Sequence, residues 1–431
     1  MGYVAIKGGG QAIEGTKKVF DYLRARDAEN SLSLDTHTIE NQLRLLHSRV
    51  ISEGGVYHPR LASLAIKQSQ GDTLEAAFAL RAYRSTQPRI VETPALNTEN
   101  MRITRRISAA FKDIPGGQIL GATTDYHLRL MRMDMLDESP ERFRAIAQEW
   151  FERTSVDHIP DSFPKVLKSL RDEGLLSPLD KSEQENDPFD ITREPLVFPV
   201  PRSAALATMA RAEQGSLLAI AYSNMRGYGD VHPTVAELRV GYLPVLLPHP
   251  ITGELTEIGE VEITECEIVA MYDEQGSSSV TGGRTPEVTD EQDAQVPRAQ
   301  GCAGAVDEQG SSSVTKGRTP ELTDEQARAS EVEAANGKDK PTFTLGYGAC
   351  FGHNEVKAIS MAILDRALQK GMKDGPGNPS EDPEFVLLHV DGIDSMGFCT
   401  HYKMPHYVTF QSDMDRLRST QQKQSTKEAR L

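Results

Sequence analysis

No run of about 18 apolar residues occurs in this chain, so no segment is expected to cross a membrane as a helix. Cysteine is scarce. Cys266, Cys302, Cys350 and Cys399 are scattered over 431 residues, with no CxxC pair and no CxxxCxxC pattern. A disulfide framework and an iron–sulfur cluster built by this chain are both excluded, and a reducing cytoplasm is the expected setting. Basic charge is also in short supply. The formal net charge of −16 argues against a general nucleic-acid binder. There is no GxxxxGK[ST] phosphate loop, no GxSxG elbow and no HExxH zinc helix. The opening Met-Gly-Tyr-Val-Ala-Ile-Lys has neither the basic start and apolar run of a secretory signal nor the hydroxyl residue of a myristoylation signal.

What is present suffices for two or three domains and a sizeable core. A hydrophobic content of 38% and a mean hydropathy of −0.44 imply that part of the chain stays unpacked. The expected fold class is α+β: a mainly helical N-terminal domain, then a mixed α/β C-terminal region carrying a long disordered insertion. Residues 1–135 form the helical domain and 136–189 a variable helical and linker segment. The mixed domain occupies 190–272 and 341–415, split by the insertion at 273–340, and 416–431 is a polar, fraying tail.

Tyr3–Ile6 reads as a strand before Gly8–Gly10, followed by a helix to about Arg26. Helices are expected over 36–52, 58–69, 72–84 and 100–111 from their apolar spacing. Phe143, Ile146, Ala147, Trp150 and Phe151 form a helical stripe behind Pro140, in which the single tryptophan is a packing residue. Pro201 precedes a helix at about 203–213, and Leu217–Tyr222 is ambiguous. Residues 235–244 and 260–264 alternate as half-exposed strands, with Glu237 and Arg239 on the wet face. Thr342–Leu345 reads as a strand, Gly346–Gly352 as a turn, and Asn354 as the cap of a helix over 355–370. Phe385–Val390 is a buried-strand candidate.

The insertion contains a near-perfect duplication. Asp273–Gln292 and Asp307–Gln326 are offset by 34 residues and agree at 18 of 20 positions, differing at Gly282/Lys316 and Val288/Leu322. A 34-residue period is that of tetratricopeptide helices, but Gly-Ser-Ser-Ser and Arg-Thr-Pro break helices and offer little apolar surface. Such a segment cannot bury enough surface to offset its ordering entropy.

Several places carry side chains suited to chemistry. Lys7–Gly10 and Gly346–Asn354 each join strand, glycine turn and helix, so either is a tight turn or a cradle for phosphate. Arg102, Arg105, Arg106 and Lys112 lead into Asp113-Ile-Pro-Gly-Gly-Gln118; arginine forks match phosphate oxygens, and a solvated helix face is the rival reading. In the loop Asn224–Pro233, His232 is a proton donor or a turn residue, beside Arg226. Glu237, Glu262 and Glu265 lie on strands nearby in sequence. His401 and His406 lie five positions apart with Pro405 between them. Five helical steps turn side chains about 140° apart, so a turn is needed to aim both rings at one point. Neutral imidazole is a common zinc ligand, yet two ligands do not complete a zinc site.

Taken in order, these blocks resemble the PhnI family, core subunits of the bacterial carbon–phosphorus lyase system. The resemblance rests on Tyr3–Gly9, Ser52-Glu-Gly-Gly55, Leu64–Gln68, Leu80-Arg-Ala-Tyr-Arg84, Arg105–Ser108 and Lys112–Gln118. It continues through Asp190-Ile-Thr-Arg193, Arg226-Gly-Tyr-Gly229, Thr264–Glu267, Gly346-Tyr-Gly348, Asp365–Leu368, Glu384–Val386 and His401–His406. It covers most of 1–135 and 190–415. The insertion at 273–340 departs from it, since the family has a short connection there.

The resemblance implies a transferase. Methylphosphonate displaces the purine of ATP or GTP, giving alpha-D-ribose 1-methylphosphonate 5-triphosphate; alone, such a subunit is a nucleosidase. Oxocarbenium character at the anomeric carbon then calls for a proton donor, a negative group and a triphosphate clamp. Asp113, His232 and Glu265 are expected to serve the first two tasks, and Arg106, Lys112 and Arg226 the third. The resemblance also places His401 and His406 against the radical lyase subunit as a shared zinc site. Other core subunits are the expected partners. The rival reading is a non-catalytic scaffold for the radical subunit.

Overall fold

The computed structural model describes residues 9–26, 32–121, 123, 125, 129–153, 163–176, 188–228, 232–271, 342–403 and 406–428. The expected strand at 3–6 and the duplicated insertion lie outside the described residues. The architecture is α+β, built on one four-stranded antiparallel sheet. Among the described residues, no helix is long and apolar enough to cross a membrane.

The first helix, α1 (Gly9–Ala25), is largely exposed. Next come α2 (Thr36–Gln42), α3 (Arg44–Gly54), α4 (Pro59–Gln68) and α5 (Thr73–Ser85). Their ends are written in the sequence. The side chain of Asp35 accepts from Thr38 N, and that of Asp72 from Leu74 N and Glu75 N. Pro59 stands in the first turn of α4, where its missing N–H costs nothing. Leu43 divides the helix expected over 36–52 into two. Ile39, Val50, Ile51, Ala62, Ile66 and Leu80 bury together as the core of this group.

The sheet runs β1 (Arg102–Ile107), β2 (Thr234–Pro248), β3 (Leu255–Met271) and β4 (Phe343–Phe351), in that order. β1 corrects the helix expected at 100–111. Its basic side chains find carboxylates across the sheet and beside it, a tertiary gain that local helical spacing does not register. α6 (Pro140–Arg153) forms as expected, but Trp150 on it is 66% exposed rather than packed. α7 (Leu167–Asp172), α8 (Arg202–Arg211) and α9 (Gln214–Ser223) follow; the ambiguous run at 217–222 is helical.

One face of the sheet packs on α10 (Glu355–Asp374), whose cap is Asn354 as expected, its side chain accepting from Lys357 N. Leu238, Cys266, Ile268 and Cys350 meet Ala358, Met361, Ala362 and Leu368. The Gly346–Gly352 turn does not form; β4 runs through it to Phe351. The glycines serve close approach instead. A Cβ on Gly346 would lie 2.1 Å from Ala362 O, and one on Gly348 2.2 Å from Ala358 O. The strand expected at 385–390 is helix α11 (Pro383–His389), started by Asp382 and Pro383. A short apolar run does not reveal its own type, whereas its capping residues do. α12 (Gly392–Tyr402) and α13 (Tyr407–Glu428) complete the fold, and the tail expected to fray from 416 continues as helix.

Candidate functional site: a buried charged layer and a histidine pair

Alternation along β2 and β3 puts Glu237, Arg239, Glu265 and Glu267 on the sheet face away from α10. The register pairs Arg239 with Glu265 and Glu237 with Glu267. β1 adds Arg106 opposite Arg239, and β4 adds Tyr347 opposite Glu267. This face was expected to be wet. It is instead buried, because the Thr98–Asn100 turn and the 163–170 segment contribute groups that cover it. Apolar clusters flank the layer, with Met101, Ile103, Phe163 and Leu243 in one and Leu167, Leu170 and Val269 in the other.

Glu265 is the hub. It accepts from Arg239 Nη2 at 2.6 Å, Lys165 Nζ at 2.8 Å, Thr98 Oγ1 at 2.9 Å and Tyr347 Oη at 3.0 Å. Burial alone would raise its pKa, but the charges of Arg239 and Lys165 outweigh that and hold it at about 2. Glu267 is the opposite case. Burial pushes its pKa up, Lys165 stands at 3.4 Å, and its Oε2 has no hydrogen-bond partner. Nη1 of Arg239 is likewise buried without one. Burial, followed by the adjacent Glu265 charge, drives the Tyr347 phenol well above its usual range.

Arg106 is fully buried. Its Nε donates to Glu237 at 2.6 Å, Nη1 to Pro115 O and Gly117 O, and Nη2 to Pro164 O. The guanidinium thus pins the 115–117 loop and the 163–166 segment to the sheet. Lys112 and Asp113 lie exposed in that loop, which the Gln118 side chain braces from Phe111 O and Lys112 O. Arg226 is exposed, stacked over Tyr222 at 5.7 Å. His232 is exposed, with Nδ1 3.2 Å from Pro233 O. Of the residues singled out from sequence, Arg106, Glu237 and Glu265 share the buried layer.

His401 ends α12 and His406 stands just before α13. Their Nε2 atoms are 3.2 Å apart and the rings meet edge to face at 83°. Two nitrogens bound to one tetrahedral zinc at about 2.0–2.1 Å lie about 3.3 Å apart. The pair therefore fits two corners of such a site. Among the described residues, no third histidine, cysteine or carboxylate completes a cluster.

A second polar centre escaped the sequence reading. Lys357, on the packed face of α10, is fully buried and donates from Nζ to Ser52 Oγ at 2.7 Å. Burial pulls its pKa down to about 8. Nearby, Glu53 accepts from Arg49 Nε at 2.8 Å and Gln214 N at 3.0 Å, and burial pushes its carboxyl up. The signal was a lysine at helical spacing from Met361, Leu364 and Leu368.

A family model described as bacterial phosphonate metabolism protein (PhnI) matches residues 2–284 and 313–424. The unmatched residues 285–312 fall inside the duplicated segment. The chain is 62% identical to the putative C-P lyase subunit protein HtxH of Stutzerimonas stutzeri, covering 98% of this chain and 97% of the relative. It is 36% identical to the alpha-D-ribose 1-methylphosphonate 5-triphosphate synthase subunit PhnI of Escherichia coli strain K12, over 98% and 99% of the two chains. The protein of the same name from Rhizobium meliloti strain 1021 is 34% identical, over 96% and 94%.

Proposed function

From its place in the PhnI family, to which the chain belongs, we propose that this protein acts in phosphonate catabolism as a subunit of alpha-D-ribose 1-methylphosphonate 5-triphosphate synthase. The reading is carried by 36% and 34% identity, over nearly the whole length of each chain, to two relatives bearing that name. The enzyme is a transferase. An oxygen of methylphosphonate forms a bond to the anomeric carbon of ATP or GTP, the bond to the purine nitrogen breaks, and the purine leaves with a proton. Without methylphosphonate, water is the nucleophile and the chain is a nucleosidase. A companion radical lyase subunit cleaves the carbon–phosphorus bond afterwards, within one complex.

The residues divide the work by their chemistry. With its pKa at about 2, Glu265 is an anion at neutral pH and donates no proton. Arg239 and Lys165 already match that charge and the carboxylate is buried, so its service to a cationic sugar is through the groups it positions. His232 and Asp113 are the exposed candidates for protonating the purine. Of the cations expected to meet the triphosphate, Lys112 and Arg226 are exposed, whereas Arg106 is fully buried and holds the 115–117 loop. His401 and His406 supply two ligands to a zinc ion whose other ligands come from the radical subunit, solvent or substrate. Zinc bound there supplies Lewis-acid polarisation of a phosphoryl or phosphonyl oxygen. Free Cys266, Cys350 and Cys399 support a reducing, cytoplasmic setting.

A scaffold role for the radical subunit is the second reading. It is favoured by the burial of Glu265 under four hydrogen-bond donors, while His232 and Asp113 are exposed. The test is incubation of the chain, alone and with its partner subunits, with GTP and methylphosphonate. Free guanine in step with a ribosyl phosphonate triphosphate, followed by chromatography and phosphorus NMR, is the expected result. No base release in either setting overturns the enzyme reading and leaves the scaffold.

A further inference from the structure

Three sequence blocks that the charged layer and the histidine pair do not use meet at one cavity. They are Ser52–Gly55, Leu80–Arg84 and Asp190–Arg193. The cavity has a volume of about 360 Å³ and lies between α3, α8, the 188–192 loop and β4. That is the size range of small-ligand pockets, roughly 300–1,000 Å³. Its body is apolar, lined by Phe189, Ile191, Ala207 and Phe351. Two guanidinium groups, Arg84 and Arg211, also line it.

These arginines converge. A methyl group on Gly55 would lie 3.6 Å from Arg211 Cδ and 3.9 Å from Arg84 Nη1. Gly55 has φ +62°, the left-handed region that glycine favours, and so leaves that space open. Neither arginine is well neutralised. The Arg211 Nε is buried without a hydrogen-bond partner. Its nearby carboxylate oxygen, Asp391 Oδ2, is 4.0 Å away and is already held by Arg81 at 2.7 Å. Asp190, which also lines the cavity, is taken by Arg89 at 2.7 Å and by Thr192. Burial lowers the pKa of both guanidinium groups, the mark of charge removed from water without full compensation. At the floor, the Ser52 hydroxyl is held by the buried Lys357 ammonium. A cleft with an apolar body and two converging, under-neutralised arginines suits a ligand that is apolar at one part and anionic at another.

We propose that this cavity is the purine nucleotide site, with the base against Phe189, Ile191 and Phe351 and the phosphoryl groups on Arg84 and Arg211, which take the triphosphate contact in place of Lys112 and Arg226, neither of which lines it. The proposal rests on the transferase reading for the choice of a purine nucleotide among such ligands. It is tested by calorimetric titration of GTP and of guanosine into the full chain with its partner subunits. Arg84→Gln and Arg211→Gln each weaken GTP binding at least tenfold and leave guanosine within twofold. Ala207→Phe, which fills the cavity, weakens both. Thermal melts establish that each variant is folded. In the wild-type complex, photolabelling with 8-azido-GTP marks peptides carrying 188–192 or 349–351, a readout that needs no variant. GTP binding within twofold of wild type in all three variants, or labelling only elsewhere, overturns the site while wild-type base release still supports the function. Labelling at the cavity without any base release retains the site and overturns the transferase reading. No GTP binding by the wild-type complex overturns the site.

Discussion

Arg239 and Glu265 face each other directly across β2 and β3, and two guanidinium nitrogens grip one carboxylate oxygen, Nη2 at 2.6 Å and Nε at 3.1 Å. Both side chains are buried. Removing one partner from such a pair strands a charge and costs about 3–5 kcal/mol, whereas replacing both with apolar groups is often near neutral. Glu265→Leu, which strands the Arg239 guanidinium, is therefore expected to destabilise by that amount in urea unfolding, and Glu265→Leu with Arg239→Met by clearly less, since Lys165 keeps Glu267. Equal losses in the single and double variants would mean that the pair is not the source of the cost.

The same contact makes stability depend on acid. Glu265 is held at about 2, below its ordinary value of 4.5, so the folded state binds fewer protons than the unfolded state between those limits. Its contribution is fully present above pH 4.5 and is lost as pH falls through 2. Glu53, Glu267 and Asp365 have raised pKa values and oppose this trend in the whole protein. The clean measurement is the stability difference between wild type and Glu265→Gln, which should shrink from pH 4.5 towards 2. A pH-independent difference would show that the carboxylate charge is not what matters.

Lys357 gives the converse at alkaline pH. Its ordinary value of 10.5 is lowered to about 8 by burial, so the folded state again binds fewer protons in that interval. Stability relative to Lys357→Met should rise as pH goes from 8 to 10.5, where the unfolded chain still carries the charge. Denaturant midpoints across that range measure it, and a flat difference would indicate that Lys357 remains charged in the fold.

These centres explain what could be read in advance. Helices with marked ends, such as α4 behind His58-Pro59 and α10 behind Asn354, were legible because capping is local chemistry. β1 was not, because Arg105 and Arg106 are stabilised by partners distant in sequence, Glu355 and Glu237. Alternation in β2 located the strand correctly but mistook which groups stay dry. Glu237 and Arg239 are buried because the 163–170 segment brings Lys165 and the Val166 N–H to the same layer. Glu265 was found from residue type. Arg84 and Arg211 were not singled out for chemistry, since their convergence over Gly55 exists only in three dimensions.

Gly346 and Gly348 lie where β4 touches α10 backbone to side. An alanine methyl at either position would lie 2.1–2.2 Å from a helix carbonyl oxygen. Neither backbone can yield as a flexible side chain would, so the helix must move off the sheet. Overpacking of this kind typically costs about 1–3 kcal/mol or more. Gly346→Ala and Gly348→Ala are each expected to lose at least that much, while Gly397→Ala, in an open position inside α12, is expected to gain about 0.5–1 kcal/mol. Thermal and urea unfolding of the three variants makes the comparison; equal stabilities would mean that α10 does not pack as closely as described.

The histidine pair yields a test of division of labour. His401 and His406 hold two nitrogens 3.2 Å apart, the spacing that two corners of a tetrahedral zinc require. The remaining ligands are proposed to come from across a subunit boundary or from solvent or substrate. His401→Ala with His406→Ala should therefore lower zinc content in the assembled complex, measured by elemental analysis. If the site belongs to the late carbon–phosphorus cleavage, hydrocarbon release should fall at least tenfold while purine release stays within about twofold; a lost Lewis acid removes several kcal/mol of charge stabilisation. Equal loss of both activities in a complex that still assembles would move the pair into the nucleosidase site. Unchanged zinc content would remove it from metal binding altogether.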